Sequence, residues 1–280
     1  MTKQKVAING MVTEDLRVPL DDRGFTVGDG LFETIPLYGG SAFLLEGHIE
    51  RMRQGAELIG LAMPVDEKKV AYAISDLARA NSVSRGVARL AVTRGPGPRG
   101  YSSVGTAQAW WYLSVRPYET SEKKREEGGY KVVLSPYRVD PANPLRGIKS
   151  LSALDRVMAV DYAVKRGADE ALSLTHSEHI ASLQAANIFW VTDGKLHTPS
   201  LECGILAGIT RRKVIALAAG EGMEALEGKY LMKDLAMAQE AFATNSLIEI
   251  MPLSEVEGAV SFGKGGAVTE RLLKAYRQLT

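Results

Sequence analysis

Cysteine is almost absent from this 280-residue chain: Cys203 stands alone, so no intrachain disulfide can form and a reducing compartment suits it. No partner histidine accompanies Cys203, which favours a buried thiol over a nucleophile. Excess charge is missing too. A formal net charge of +1 leaves no electrostatic footprint for nucleic acid, and no basic stripe interleaves with aromatics. Long hydrophobic runs are lacking: no stretch approaches the ~18 apolar residues of a membrane span. The opening MTKQKVAING has no apolar core of the kind a signal peptide needs. There is no internal repeat and no low-complexity tract. With 45% hydrophobic and 24% charged residues, the composition is that of an ordinary globular protein of one large or two modest domains. The expectation is a cytoplasmic protein that binds neither nucleic acid nor membrane.

What is present is concentrated between Asp22 and Arg51, DRGFTVGDGLFETIPLYGGSAFLLEGHIER. A Gly-punctuated turn (Gly24, Gly28, Gly30) leads into an extended run from Leu31 to Tyr38. Gly39-Gly40 then signals a hairpin, and a helix places His48 and Arg51 three apart on one face. The unit delivers one arginine to a fixed place. Downstream, apolar periodicity predicts helices over Glu46–Leu61 and Asp66–Ala80, and strands over Gly86–Thr93 and Ala107–Arg116. The loop RGPGPRGYSS (Arg94–Ser103) joins those strands. Its glycines bury little, leaving the Arg94 and Arg99 guanidinium groups available to clamp a carboxylate. Periodicity fades between Arg116 and Tyr130, where EKKREE (Glu122–Glu127) reads as a solvated linker.

The second half opens with a strand at Tyr130–Ser135 and a helix at Leu151–Lys165. A β-rich region from Glu170 to His197 turns at Asp193-Gly194. Helices at Thr210–Ala219, around Lys233–Gln239 and at Ala267–Leu279 follow, with strands between Ala243 and Pro252. Without regular βαβ alternation the class is α+β. The expected division is a small domain over residues 1–118, a linker over 119–129 and a large domain over 130–280.

Three further segments carry candidate chemistry. Gly204–Arg211 (GILAGITR) runs a Gly-bounded turn into a helix, whose N-terminus and Thr210 hydroxyl suit a phosphate; Thr210 as a plain N-cap is the alternative. In GIKSLS (Gly147–Ser152), Lys149 lies where a loop feeds a helix that Ser150 or Ser152 can cap. The positive end of the helix dipole there would depress an amine pKa. Thr244-Asn245-Ser246 ends a β-run with three small hydrogen-bonding side chains, fit for a phosphate cradle or for a turn.

Taken in order, these segments resemble the class IV (fold-type IV) pyridoxal-phosphate enzymes from about Ile8 to Leu273. The family includes branched-chain and D-amino-acid aminotransferases and 4-amino-4-deoxychorismate lyases. The resemblance implies the family's two-domain α+β fold, pyridoxal 5'-phosphate as cofactor, no metal, a small amino-acid-like substrate and homodimers with shared active sites. Lys149 matches the lysine that carries the cofactor and moves the substrate proton. Arg51, Ile209, Thr210 and Asn245 or Ser246 match phosphate-binding positions. Phe32, Thr34, Arg99 and Tyr101 match substrate-pocket positions, with Arg99 the carboxylate contact. GDGLFET (Gly28–Thr34), RGPGPRGYSS, Ala243–Ser246 and Ala185-Ala186-Asn187 look like the lyase branch. One departure stands out: the family places a glutamate five residues before the asparagine matching Asn187, where it keeps the pyridine nitrogen protonated. Ser182 occupies that position here, and Ser152 stands where asparagine is usual. The resemblance therefore implies a lyase acting on 4-amino-4-deoxychorismate, with an aminotransferase as the alternative.

Overall fold

The computed structural model describes residues 4–106, 108–119, 121–263 and 265–280, and they form two compact units. Met1–Glu119 with Ile148–Ala153 make the first; Thr120–Gly147 with Leu154–Thr280 make the second. Ala107, predicted to begin a strand, lies outside the described residues.

In the first unit the strands are β1 (Val6–Ile8), β2 (Met11–Thr13), β3 (Gly30–Tyr38), β4 (Ser41–Ala42), β5 (Gly86–Thr93) and β6 (Trp110–Pro117). They pair antiparallel in the order β2-β1-β6-β5-β3-β4. The Gly39-Gly40 turn joins β3 to β4 with both glycines at positive φ, as the hairpin signal implies. Alternation decides what each strand buries. Leu31, Ile35 and Leu37 of β3 and Ala88, Leu90 and Val92 of β5 face inward, under α2 (Leu45–Leu58) and α3 (Glu67–Ala80). Helix α3 starts at Asp66, whose side chain accepts from Lys69 N, and it buries Val70, Ile74 and Leu77 completely. One short helix went unforeseen: Arg23–Val27 (α1), capped by Asp22 and closed by Gly28 in the left-handed region.

In the second unit α4 is Glu122–Glu126, α5 Leu154–Lys165, α6 Ile209–Gly220, α7 Met232–Ala236 and α8 Ala267–Arg277. The main strands are β7 (Tyr130–Leu134), β8 (Glu170–Leu174), β9 (Ile180–Leu183), β10 (Asn187–Thr192), β11 (Lys195–Pro199), β12 (Ala225–Gly228), β13 (Glu240–Asn245) and β14 (Glu249–Val256). Their order is β12-β11-β10-β13-β14-β7-β8-β9, with β15 (Val260–Ser261) beside β14. Phe189 and Phe242 stack across β10 and β13 at 5.2 Å inside this sheet.

Two readings need correction. EKKREE is no solvated linker: it forms α4, and its Arg125, 8% exposed, donates to the carbonyls of Ile248 and Ile250 beside buried Glu249. The helix expected from Leu151 begins at Leu154, because Leu151 N donates to Gly30 O and Phe32 N to Lys149 O. Backbone pairing with β3 holds those residues extended. Among the described residues no helix is long and apolar enough to cross a membrane.

Candidate active site

In the first unit the site grows from the two faces of β3. Glu33 falls on the inward parity, between Leu31 and Ile35, and is fully buried. A carboxylate there requires partners, and α2 supplies them one turn apart. Arg51 Nε and Nη2 donate to Glu33 Oε1 and Oε2 at 2.8 and 2.7 Å, and His48 Nδ1 lies 2.7 Å from Oε2. Burial alone would push the Glu33 carboxyl up. The Arg51 charge and the hydrogen bonds from His48 and Arg51 outweigh that and hold it at about 2. Glu33 therefore stays ionised and fixes the direction of the Arg51 guanidinium, whose side chain is 11% exposed.

Phe32 and Thr34 lie on the opposite face, half-buried. Lys149 runs alongside through the Phe32 N to Lys149 O bond of 2.9 Å, and its Nζ sits 4.5 Å from the Phe32 ring centroid. The approach of this segment explains the glycines: a Cβ on Gly28 would lie 2.4 Å from Ser152 Oγ, and one on Gly30 2.8 Å from Leu151 Cδ1. Lys149 is thus positioned by strand-like pairing and not by a helix N-terminus, which removes the dipole argument for it.

The Arg94–Tyr101 loop is built differently from its composition. Arg94 is engaged, donating to Asp29 at 2.8 Å and to the carbonyls of Ile59 and Gly60. Arg23, 3% exposed, shares Asp29 and reaches over seventy residues along the chain to the carbonyls of Pro98, Gly100 and Tyr101. Its guanidinium is the peg on which the loop hangs. Arg99 is exposed, and Tyr101 is 93% exposed, so neither packs into its own unit.

In the second unit the candidates gather where β10, β13 and α6 meet. Asn187 pairs with Thr244 in the sheet and donates its side-chain amide to Leu206 O at 3.0 Å. Its Oδ1 sits against Gly208, where any Cβ would lie 2.1 Å away. Gly208, not Thr210, is the N-cap of α6, and it supplies no side-chain cap. The first N–H groups of the helix, at Ile209 and Thr210, are left for an anion. Thr210 is buried, its hydroxyl 3.5 Å from that of Tyr276; burial pushes Tyr276 up to about 12, so it stays protonated at neutral pH. Thr244 Oγ1 is buried without a hydrogen-bond partner among the described residues. Asn245, by contrast, is engaged in its turn: Oδ1 accepts from Leu247 N and Ile248 N, and Nδ2 donates to Ala185 O.

Ser182 lies buried on β9, and its hydroxyl makes no hydrogen bond among the described residues. The neighbouring turn is clamped by Glu170, which accepts from Ala185 N at 2.9 Å, and by Arg156, which donates to Gln184 O. Burial raises the Glu170 pKa against those hydrogen bonds. Glu178 is exposed and paired with Arg138. Cys203 is buried, and burial pushes its thiol up, the unreactive direction.

Sequence reasoning named Lys149, Phe32, Thr34, Arg51 and Thr244 and missed Glu33 and Arg23. Glu33 carried a readable signal, a charge at inward parity with a histidine and an arginine three apart nearby. Arg23 carried none, since its acceptors are distant carbonyls.

The Amino-transferase class IV family model matches residues 30–256, and the chain belongs to that family. A D-alanine aminotransferase from Staphylococcus epidermidis is 30% identical over 98% of this chain and 97% of its own length. An aminodeoxychorismate lyase from Bacillus subtilis is likewise 30% identical, over 98% of this chain and 94% of its own. The solved branched-chain aminotransferase from the thermophilic archaeon Thermoproteus uzoniensis matches with a TM-score of 0.90 and 29% identity, covering 98% of this chain and 94% of that one. The fold is that of the class IV aminotransferases, and pyridoxal phosphate is the family's cofactor. The second unit fits its phosphate: an uncapped helix N-terminus, the Thr210 hydroxyl and an orphaned buried Thr244 hydroxyl are donors in search of an acceptor. Relatives of equal similarity include a lyase and a transaminase, so membership defines a pyridoxal-phosphate enzyme acting on small amino-acid substrates.

Proposed function

We propose that the chain is a lyase converting 4-amino-4-deoxychorismate to 4-aminobenzoate and pyruvate, working as a cytoplasmic homodimer. Lys149 would hold pyridoxal phosphate, and Arg51, Ile209, Thr210 and Ser246 its phosphate, with Asn245 shaping the turn. When bound, the cofactor supplies an electron-withdrawing ring that acidifies the C–H bond beside the substrate amine. The Lys149 amine takes that proton. The neighbouring C–O bond then breaks, enolpyruvate leaves and is protonated to pyruvate, and the remaining ring becomes aromatic. Arg99 would bind a substrate carboxylate, with Phe32, Thr34 and Tyr101 around the ring. The exposure of Arg99 and Tyr101 supports a pocket completed by the partner's loop.

The observation that carries this reading is Ser182, whose buried side chain makes no hydrogen bond among the described residues. A hydroxyl can exchange one hydrogen bond with a ring nitrogen but cannot hold it protonated as a carboxylate does. That setting disfavours transamination, in which negative charge must persist until a different carbon is protonated. Elimination expels its leaving group as the C–H bond breaks and requires less storage. A second reading, an aminotransferase for D-amino or branched-chain amino acids, draws on the equal identity to the D-alanine aminotransferase. Incubating the loaded enzyme with aminodeoxychorismate, and separately with D-alanine or a branched-chain amino acid plus 2-oxoglutarate, tests the choice. Release of 4-aminobenzoate supports the lyase; keto-acid exchange alone overturns it.

A further inference from the structure

The turn that joins β13 to β14 holds a conformation its sequence does not favour. Asn245 pairs with Glu249 across it, and Glu249 sits at φ 59°, in the left-handed region where glycine is the usual residue of such a hairpin. Glu249 is also only 1% exposed, so a charged side chain occupies a buried and strained position. Its partners explain the charge. Arg277, the last residue of α8, donates through Nε and Nη2 to Glu249 Oε2 at 2.8 and 2.7 Å. Arg125 of α4 lies 3.5 Å from the same oxygen. Glu122 of α4 pairs with both arginines, which balances the cluster at two acids and two bases.

The cluster and the turn's own asparagine fix this backbone together. Arg125 donates to the carbonyls of Ile248 and Ile250, on either side of Glu249, while Asn245 Oδ1 accepts from Leu247 N and Ile248 N. Helix α8 is pinned at its other end too: Glu240, at the start of β13, accepts from Val268 N and Thr269 N at 3.0 and 2.8 Å. Tyr276, next to Arg277, is buried with its hydroxyl 3.5 Å from Thr210 Oγ1. Successive residues at one end of α8 thus meet both halves of the candidate phosphate cradle: the head of α6 through Thr210, and the β13–β14 turn through Glu249. The orphaned Thr244 hydroxyl stands at the entry to that turn. Buried ion pairs add little net stability, so the conformation this cluster imposes is the better reason for its presence.

We propose that Glu249 is a positioning residue for the cofactor phosphate: gripped by Arg277 and Arg125, it holds the Asn245–Glu249 turn in the conformation that presents Thr244 and Ser246 to a phosphate. Cofactor affinity is then set in part from α8 and α4, by side chains that are not themselves phosphate contacts. The inference deepens the proposed site and rests on its reading of Thr210 and Ser246 as phosphate contacts. A glycine at position 249 would adopt the same backbone without strain, so the retained carboxylate is what the proposal explains.

The test is equilibrium binding to the cofactor-depleted full-length chain, independent of turnover. Pyridoxal phosphate and pyridoxal differ only by the phosphate, and each is titrated while the visible absorbance of the bound cofactor is followed. Glu249→Gln and Arg277→Met should weaken pyridoxal phosphate about tenfold or more and leave pyridoxal within about twofold. Arg277→Lys keeps the charge but loses the fork and should fall between. Glu249→Gly relieves the backbone strain yet removes the carboxylate, and should lose phosphate selectivity as Glu249→Gln does. A variant that merely loosens the fold weakens both ligands alike. Equal loss of both ligands, loss of neither, or a Glu249→Gly protein that binds like wild type would overturn the proposal. Thr210→Val separates this inference from the cradle reading beneath it. If Thr210→Val loses pyridoxal phosphate selectively while Glu249→Gln and Arg277→Met do not, the cradle stands and the positioning role falls. If Thr210→Val binds both ligands like wild type while Glu249→Gln loses selectivity, the positioning role stands and Thr210 leaves the cradle.

Discussion

Replacing Glu33 with glutamine removes the one negative charge between His48 and Arg51 and leaves the arginine facing a neutral amide. A carboxyl held at about 2 against an ordinary 4.5 contributes roughly 3 kcal/mol at neutral pH, at about 1.4 kcal/mol per pH unit. Breaking a buried pair from one side costs about 3–5 kcal/mol, and the glutamine amide retains part of the hydrogen bonding, so both routes converge near ~3 kcal/mol. At about 2–4 °C per kcal/mol for a protein of this size, Glu33→Gln should melt ~6–12 °C below wild type at pH 7. The sign of the pH dependence is fixed. The folded pKa lies below the unfolded one, so the contribution is complete above about 4.5 and is lost as pH falls through about 2. Melting followed by circular dichroism from pH 7 to pH 3 should therefore show the gap between wild type and variant narrowing below about 4.5. A gap that stays constant across that range, or a variant that melts with wild type at pH 7, would refute the reasoning. The variant should also bind pyridoxal phosphate more weakly, because Arg51 loses the partner that aims it.

Borohydride treatment of the loaded protein should attach the cofactor irreversibly to the peptide containing Lys149, seen by mass spectrometry; labelling that persists in Lys149→Ala would refute that assignment. Arg23→Gln removes the donors to the carbonyls of Pro98, Gly100 and Tyr101. It should raise KM for a carboxylate substrate about tenfold, ~1.4 kcal/mol, with a smaller change in kcat and faster proteolysis at that loop; an unchanged KM contradicts the loop's role. If Arg99 serves the partner's pocket, mixing inactive Lys149→Ala and Arg99→Ala proteins should restore about a quarter of wild-type activity through heterodimers with one intact site. No recovery after subunit exchange would place Arg99 in its own chain's pocket.

Periodicity made β3, β5, α2 and α3 readable, because each buries one face and its apolar residues keep that face's spacing. It could not show α1, five residues of glycine-rich sequence held by the Asp22 cap, nor α4, where a mixed charge run docks through one buried arginine. The start of α5 was set by backbone pairing of Lys149 and Leu151 with β3, which leaves no trace in side-chain pattern. At the site, Lys149 and Arg51 stood out through the order of their motifs. Glu33 was legible in principle from strand parity. The Arg23 peg and the orphaned Thr244 hydroxyl depend on what lies across the sheet or along distant chain, which no side-chain pattern records.

The central claim is that a hydroxyl at position 182, in place of a carboxylate, steers the enzyme toward elimination. The direct measurement is the partition ratio on aminodeoxychorismate, 4-aminobenzoate released against cofactor converted to its aminated form, in wild type and in Ser182→Glu. Wild type should partition overwhelmingly to 4-aminobenzoate with matching pyruvate. Ser182→Glu should shift the ratio toward amination by about tenfold or more, each tenfold being worth only ~1.4 kcal/mol, within what one buried charge supplies. A ratio that does not move on substitution, or a wild type that aminates its cofactor without releasing 4-aminobenzoate, would contradict the account.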